Sequence, residues 1–292
     1  MPERGTLALV DEVSLRGGGC ALNTASALAK LGLRAAVAGK VGHDALGHFV
    51  LGLLRERGIG AGGVLRDPGA PTSATVVLVD SRGERTFLHL PGANGALRAE
   101  ELDAELLFSG RALHVAGSLV MPALDGEPTA RILREARDRG LLTSLDTVFD
   151  ATGRWERVRP SLPLLDLFTP GLQEARALTG EHEPPRIATW LRGRGVRELA
   201  LTMGADGCYA AGEGFEGFLD PVPVEAVDGT GSGDAFAAGL LYGKLAGFSF
   251  ERAARFANAV GALATTAVGA TEGVLGVEET LALAGCPHRA GR

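Results

Sequence analysis

The stretch DGTGSGDAFAAGL, Asp228 to Leu240, sets glycines at 229, 231 and 233, an aspartate at 234, and then an apolar run with helical character. VPVEAVD, Val222–Asp228, reads as a strand before it. The glycines therefore fall at a helix N-terminus, where the first backbone N–H groups lack internal partners and the macrodipole is positive. Glycine lets the backbone come close to a bulky anion. The amides of Gly231, Ser232 and Gly233 are thus candidates for an anion hole, with Asp234 beside the anion. A plainer reading stays open, because Asp is also a favoured helix N-cap. Two better-known phosphate loops do not fit. No GxxxxGK[ST] run exists, and the glycine spacing from Gly229 departs from the dinucleotide fingerprint and lies near the C-terminus.

Outward from this loop, strands and helices alternate. ALNTASALAKLG (Ala21–Gly32), DALGHFVLGLLRERG (Asp44–Gly58), GEPTARILREARDRG (Gly126–Gly140), Asp234–Ala246 and Phe250–Ala267 read as helices. Asp44 suits an N-cap, and Gly32 and Gly58 suit C-terminal stops. Strand candidates are Leu7–Leu15, Arg34–Gly42, Ala112–Gly117, Leu141–Asp146, Leu164–Pro170 and Glu198–Gly204. Alternation of this kind implies a parallel sheet covered by helices on both faces, with ligands beyond the carboxyl ends of the strands. TSATVVLVD and ERTFLHL flank SRG without a helix, which predicts a β-hairpin over Thr72–Leu90 and a small β-structure added to the main sheet.

Composition narrows the function classes. The chain has 292 residues, 46% hydrophobic and 22% charged, as a globular protein does. A net charge of −6 argues against a nucleic-acid surface. No run of about 18 apolar residues predicts a membrane span, and the N-terminal residues lack a signal-peptide core. Cys20, Cys208 and Cys286 form no CxxC pair, so a zinc ribbon or disulfide framework is not expected and a cytoplasmic setting is. The six histidines show no metal-ligand spacing and read as solvated or core residues.

A second glycine-rich region lies near the N-terminus: GGGCALNTASALAKLG (Gly17–Gly32) followed by GKVGHDALG (Gly39–Gly47). With DGTGSGDAF it resembles the two signature regions of the ribokinase, or PfkB-type, carbohydrate kinases. LTMGADGCYA (Leu201–Ala210) resembles that family's nucleotide-binding strand and turn, and ANAVGALATTAVGA (Ala257–Ala270) its C-terminal helix and adenine-side loop. The resemblance runs over nearly the whole chain in family order. It implies one ribokinase-like α/β domain over 1–292, with a central mainly parallel sheet flanked by helices and a small β-sheet lid from about 6–16 and 71–91. It further implies transfer of the γ-phosphoryl group of ATP to a hydroxyl of a sugar or sugar acid, with a small-molecule sugar as partner and a homodimer through the lid.

Carried over by motif, Asp234 matches the catalytic base, and Gly231, Ser232 and Gly233 match the anion hole. Gly18, Gly19 and Asn23 match the sugar-contacting part of the first signature, and Asn94 of PGAN is a further substrate contact. Thr202, Gly204, Gly207 and Asn258 match nucleotide contacts. Glu174 of TPGLQEARALTG matches the residue that orders Mg²⁺ and its waters, although Gly171 stands where the motif usually has Asn. Asp228 matches an acid that in some members helps bind a monovalent cation such as K⁺, with Gly229 replacing the usual Thr. Asp146, at a strand end, is open between substrate, a phosphate-bound water and a turn cap. An Asp at a helix N-terminus is expected to stay ionised and to be a weak base, which suffices where positioning dominates. Family members usually begin with one more strand, ending near a sugar-binding Asp, and that strand has no counterpart here. Either the start is truncated or a central strand is lacking. The second case, with Gly171, supports one alternative, a catalytically weak sugar-binding or regulatory protein, and a nucleoside kinase of the same family with a larger apolar pocket under the lid is another.

Overall fold

The computed structural model describes residues 5–285 apart from Ala8, residues 80–84 and Ala151. The chain runs α1 (Cys20–Lys30), β1 (Ala36–Gly42), α2 (Ala45–Glu56), β2 (Gly60–Asp67), β3 (Ala74–Val79), β4 (Arg85–Leu90), α3 (Gly92–Gly95), α4 (Ala104–Leu107), β5 (Ala112–Ser118), α5 (Glu127–Asp138) and β6 (Leu142–Thr147). It continues through a 3-10 stretch, Trp155–Leu164, to β7 (Leu167–Phe168), α6 (Leu172–Thr179), α7 (Pro184–Arg192), β8 (Glu198–Thr202), β9 (Cys208–Gly212), β10 (Phe215–Leu219), α8 (Ser232–Leu245), α9 (Phe250–Ala264) and α10 (Val277–Leu283).

Six strands make the central sheet in the order β10-β9-β8-β7-β6-β5. β5 to β8 are parallel, and β9 and β10 are antiparallel additions at one side. Successive side chains of a strand serve opposite faces. Leu199 and Leu201 of β8 accordingly enter the core with Leu178, Ile187 and Leu191 of α6 and α7. Ala200 enters the core on the other face, with Phe236 and Leu240 of α8 and Phe250 and Ala257 of α9. α8 and α9 lie close because side chains are missing between them. A Cβ on Gly239 would stand 2.7 Å from the Ala257 Cα, and one on Gly243 2.7 Å from the Ala253 Cβ.

β1 and β2 form a separate parallel pair, and the hairpin β3–β4 a third sheet. In the hairpin Val76 faces Leu88 and Ala74 faces Leu90. The SRG turn expected to close it lies outside the described residues. Asp44 caps α2 as expected, accepting from the Gly47 amide at 2.8 Å, and its other oxygen accepts from Thr72 N at 2.7 Å. One carboxylate thereby ties the helix to the start of the hairpin.

Three expectations need correction. The described residues of Leu7–Leu15 form no strand, and Leu9 is 91% and Val13 89% exposed. Their alternation has no neighbouring strand to pair with, and a strand is stable only against a partner. Val222–Asp228 is also irregular, since Pro221 and Pro223 lack the N–H groups a ladder needs. The strand expected over Leu164–Pro170 shrinks to the two residues of β7, because the 3-10 stretch takes its start and Pro170 closes its end.

Candidate active site

The carboxyl ends of β6, β7 and β8 open into a cleft of about 200 Å³. Asp146, Thr147 and Val148 reach it from β6, Thr169 and Gly171 from β7, and Thr202 from β8. Gly231, Gly233 and Asp234 close it from the start of α8, Cys20 from the start of α1, and Glu174 from α6. Parallel strands deliver this edge as a matter of topology: all their carboxyl ends meet it, and the helices that follow point their N-termini at it.

Asp234 is not the N-cap of α8. Gly231 is, in the left-handed region at φ 75°. A side chain there would put its Cβ 2.6 Å from the Ala270 carbonyl oxygen, so the turn requires glycine on two counts. Asp234 lies in the first turn and lines the cleft. Its Oδ2 accepts from Asn23 Nδ2 at 2.8 Å, and its carbonyl accepts from Thr24 Oγ1 at 3.3 Å. The two glycine-rich regions, with Asn23 and Asp234 211 residues apart in sequence, thus meet at Asp234.

Asp234 is more basic than a carboxylate at a helix N-terminus ordinarily is. Withdrawal from water raises its carboxyl pKa, and the negative charge of Asp146 adds to the rise, bringing it to about 6. Hydrogen bonds from Asn23 and the Cys20 thiol, and the nearby His114, pull the other way without cancelling it. Asp146 accepts from the Gly117 amide. His114 Nε2 stands 3.5 Å from its other oxygen, and His114 Nδ1 lies 3.0 Å from Ser144 Oγ. His114, read as a solvated or core histidine in the sequence, is a half-buried neighbour of the acidic pair.

Glu174 faces the cleft rather than bulk solvent. Thr147 Oγ1 donates to it at 2.7 Å and the Gly171 amide at 2.9 Å. Burial raises its pKa against these two hydrogen bonds, and Asp146 raises it further. Three carboxylates, Asp146, Glu174 and Asp234, therefore crowd one cleft, which favours a cationic guest. Among the described residues no three His, Cys, Asp or Glu side chains could hold a metal ion directly. Two buried oxygens, Asn23 Oδ1 and Thr169 Oγ1, lack any partner among the described residues. Buried polar atoms are rarely left so, and Thr169 is one of the residues lining the cleft.

The other candidates lie around this cleft rather than lining it. Gly18 and Gly19 make the exposed turn into α1. Ser232 donates its hydroxyl to Gly229 O at 3.0 Å. Asn94 sits half-buried in α3. Gly204 and Gly207 shape the turn from β8 to β9, and a Cβ on Gly207 would lie 2.2 Å from Leu219 O. Asn258 Nδ2 donates to Asp220 O at 2.7 Å and so anchors the segment that leads to the glycine loop. Asp228 closes that loop, accepting from Thr230 N at 2.9 Å and from Gly269 N at 3.0 Å.

Residues 1–275 match the family model described as pfkB family carbohydrate kinase. The chain belongs to the pfkB family. Like its relatives there, it is a carbohydrate kinase. It is 32% identical over 294 aligned residues to 2-dehydro-3-deoxygluconokinase of Bacillus subtilis (strain 168), covering 93% of this chain and 87% of that one. Fructokinase-1 of Zea mays is 32% identical over 274 residues, with 87% and 83% covered. A fructokinase of Xylella fastidiosa, solved with bound ATP, superposes with a TM-score of 0.79 at 25% identity, covering 92% of this chain and 90% of that one. Ribokinase of Arabidopsis thaliana, complexed with ribose and ATP, shares the fold at a TM-score of 0.85 and 23% identity, with 97% and 92% covered. The ribokinase-like architecture expected from the two glycine-rich signatures is the one found. Among the described residues no helix is long and apolar enough to cross a membrane.

Proposed function

We propose that this pfkB kinase transfers the γ-phosphoryl group of ATP to a hydroxyl of a sugar or sugar acid, with Asp234 as the base. The observation that carries the reading is the junction of Asn23 and Asp234 beside the N-terminus of α8. It sets a carboxylate of raised basicity next to a helix N-terminus, where backbone N–H groups favour an anion and the Ser232 amide makes only a long bond, 3.4 Å, to Gly229 O. The substrate hydroxyl oxygen attacks the γ-phosphorus, the bond to the β,γ-bridging oxygen breaks, and ADP leaves. Asp234 accepts the hydroxyl proton. The amides of Gly231, Ser232 and Gly233 hold the charge on the transferred group. Asn23 orients the carboxylate through Nδ2 and is assigned to the sugar side of the site. Gly18, Gly19 and Asn94 border the sugar.

The surroundings fit ATP and a divalent cation. The crowded carboxylates supply the negative field a cation needs, and among the described residues no three ligands converge, which fits Mg²⁺, since it keeps most of its waters. Glu174 and Asp146 would hold it through water. Once bound, it supplies charge neutralisation on the phosphates. Thr202, Gly204, Gly207 and Asn258 would frame the nucleotide. B. subtilis 2-dehydro-3-deoxygluconokinase and the fructokinases among the relatives support a sugar or sugar acid as acceptor. The hairpin exposes Val76, Leu88 and Leu90 on one face, and we assign that face to the lid and to pairing with a second copy. Light scattering of the wild type against Leu88→Glu checks the pairing: a dimer that the variant reduces to a monomer is expected.

ADP release from Mg-ATP, measured over a panel of sugars, sugar acids and nucleosides, tests the reading. Turnover with one sugar or sugar acid, lost in Asp234→Asn while the fold persists, is expected. Activity retained in Asp234→Asn, or turnover with nucleosides alone, overturns it.

A further inference from the structure

Beyond the cleft, the segment after α9 makes an unusual set of contacts. Lys30, in the last turn of α1, donates to three backbone carbonyls at once: Thr271 O at 2.7 Å, Glu272 O at 3.0 Å and Val274 O at 3.4 Å. Thr271 and Val274 are buried at 2% and 4% exposure. Three carbonyl dipoles aimed at one point repel each other unless a cation sits between them. Removing that cation takes this donor from the Glu272 and Val274 carbonyls, while Thr271 O keeps the Val274 amide at 3.1 Å. The same segment reaches the site. Gly269 N donates to Asp228 Oδ2 at 3.0 Å. The next residue, Ala270, presses on the N-cap of α8, so closely that a Cβ on Gly231 would lie 2.6 Å from the Ala270 Cβ. Asp228 therefore grips the segment at one end, Lys30 at the other, and Ala270 between them fixes Gly231.

We propose that Lys30 is a positioning residue for phosphoryl transfer, its ammonium group acting as a built-in cation that orders residues 269–274 and, through Ala270, aims the Gly231 amide. The proposal rests on the assignment of the Gly231–Gly233 amides as the anion hole. It requires a compact ammonium with several N–H donors, which a methionine of similar length lacks. A second opening of about 230 Å³, lined by Ser26, Ala29, Lys30, Arg57, Thr271 and Glu272, leads to the carbonyl cluster. Arg57 donates to Ser26 Oγ at 2.7 Å on its wall, and its other terminal nitrogen lies 3.5 Å from Glu272 Oε1. A small amine in solution can reach the carbonyls by this route.

The test is Lys30→Met, assayed for sugar-dependent ADP release and by hydrogen exchange of residues 267–276. The proposal expects kcat to fall about tenfold or more, since a small misplacement of a group that contacts the transition state is enough for that. The sugar KM should stay within about twofold. Exchange across 269–274 should quicken. Ammonium or methylammonium should restore both readouts, and tetramethylammonium, which has no N–H donor, should restore neither. Wild-type kcat in Lys30→Met overturns the proposal, as does a loss that small amines do not mend while exchange stays as in the wild type. Ala270→Gly tests the route independently of whether Lys30→Met folds. It should lower kcat with no response to amines, and wild-type kcat in that variant also overturns the coupling. A wild type with no sugar-dependent turnover would fail the kinase assignment instead, and the exchange response to amines would still decide whether Lys30 orders the segment.

Discussion

Replacing Asn23 by Ala changes the pH dependence of turnover in a direction and by an amount that the site geometry sets. Asn23 Nδ2 donates to Asp234 Oδ2 at 2.8 Å, and this bond favours the ionised carboxylate. A hydrogen bond to a charged group contributes about 1.5–3 kcal/mol, and one pKa unit corresponds to about 1.4 kcal/mol. Water entering the half-buried site recovers part of that. A rise of about one unit remains, from about 6 in the wild type to about 7. The base must be ionised to accept the hydroxyl proton, so activity falls as pH drops through its pKa. The free enzyme's pKa governs kcat/KM. Lost contacts to sugar lower that parameter by a factor independent of pH, and titration of the nucleotide cancels in the ratio of variant to wild type. With limbs at about 7 and about 6, the ratio should fall a further eightfold or so between pH 8 and pH 5. A coupled assay of ADP release at each pH, at limiting sugar and saturating Mg-ATP, measures it. A ratio that stays flat across this range, or an acid limb that moves downward, refutes the assignment of that limb to Asp234 held by Asn23.

Asp234→Asn should abolish turnover yet raise thermal stability. A carboxyl whose folded pKa is raised destabilises the fold once it ionises, so the gain should be absent near pH 4, grow as pH rises toward about 6, and be complete by pH 8. After allowance for coupling to Asp146, about 1 kcal/mol, or about 2–3 °C in Tm by calorimetry, is expected; an unchanged or lower Tm at pH 8 would contradict it. Gly231→Ala forces a Cβ to within 2.6 Å of Ala270 at a positive φ. Displacing an anion-hole amide should cost about 10²-fold in kcat, read by steady-state kinetics. Glu174→Gln should raise the Mg²⁺ concentration for half-maximal activity by about tenfold, seen in a metal titration, with the sugar KM little changed.

Much of the fold was legible because its signals are local. Asp44 and Gly47 mark the start of α2, and the strand-helix alternation predicts the parallel order of β5 to β8. The misreadings arose where pairing or proline decides the outcome. Leu7–Leu15 has the alternation of a strand but no neighbour, and Val222–Asp228 has the apolar residues but prolines in place of donors. β9 and β10 are only five residues each; the strand and turn read over Leu201–Ala210 reach the start of β9, and β10 has no such signal. In the site, Asp234 and Asn23 stand out through their glycine-rich motifs. Thr147 and Thr169 carry no motif, since only folding brings them to the cleft. The one signal that finds them is position at the end of a parallel strand or the start of a helix, and Asp146 shows that signal. The basicity of Asp234 was not legible either, because it depends on Asp146, 88 positions away by the numbering.

The close seam between α8 and α9 has a consequence for inheritance. α8 carries both Asp234 and the amide terminus, and its sideways position is fixed by bare backbone at Gly239 and Gly243 against Ala257 and Ala253. A single methyl group added at either glycine must push the helix off its bed, and the far end swings with it. The stretch of gene over which a chance base change can silence this kinase therefore extends well past the cleft. Residues that never approach a sugar or a phosphate carry as much mutational risk as those that do.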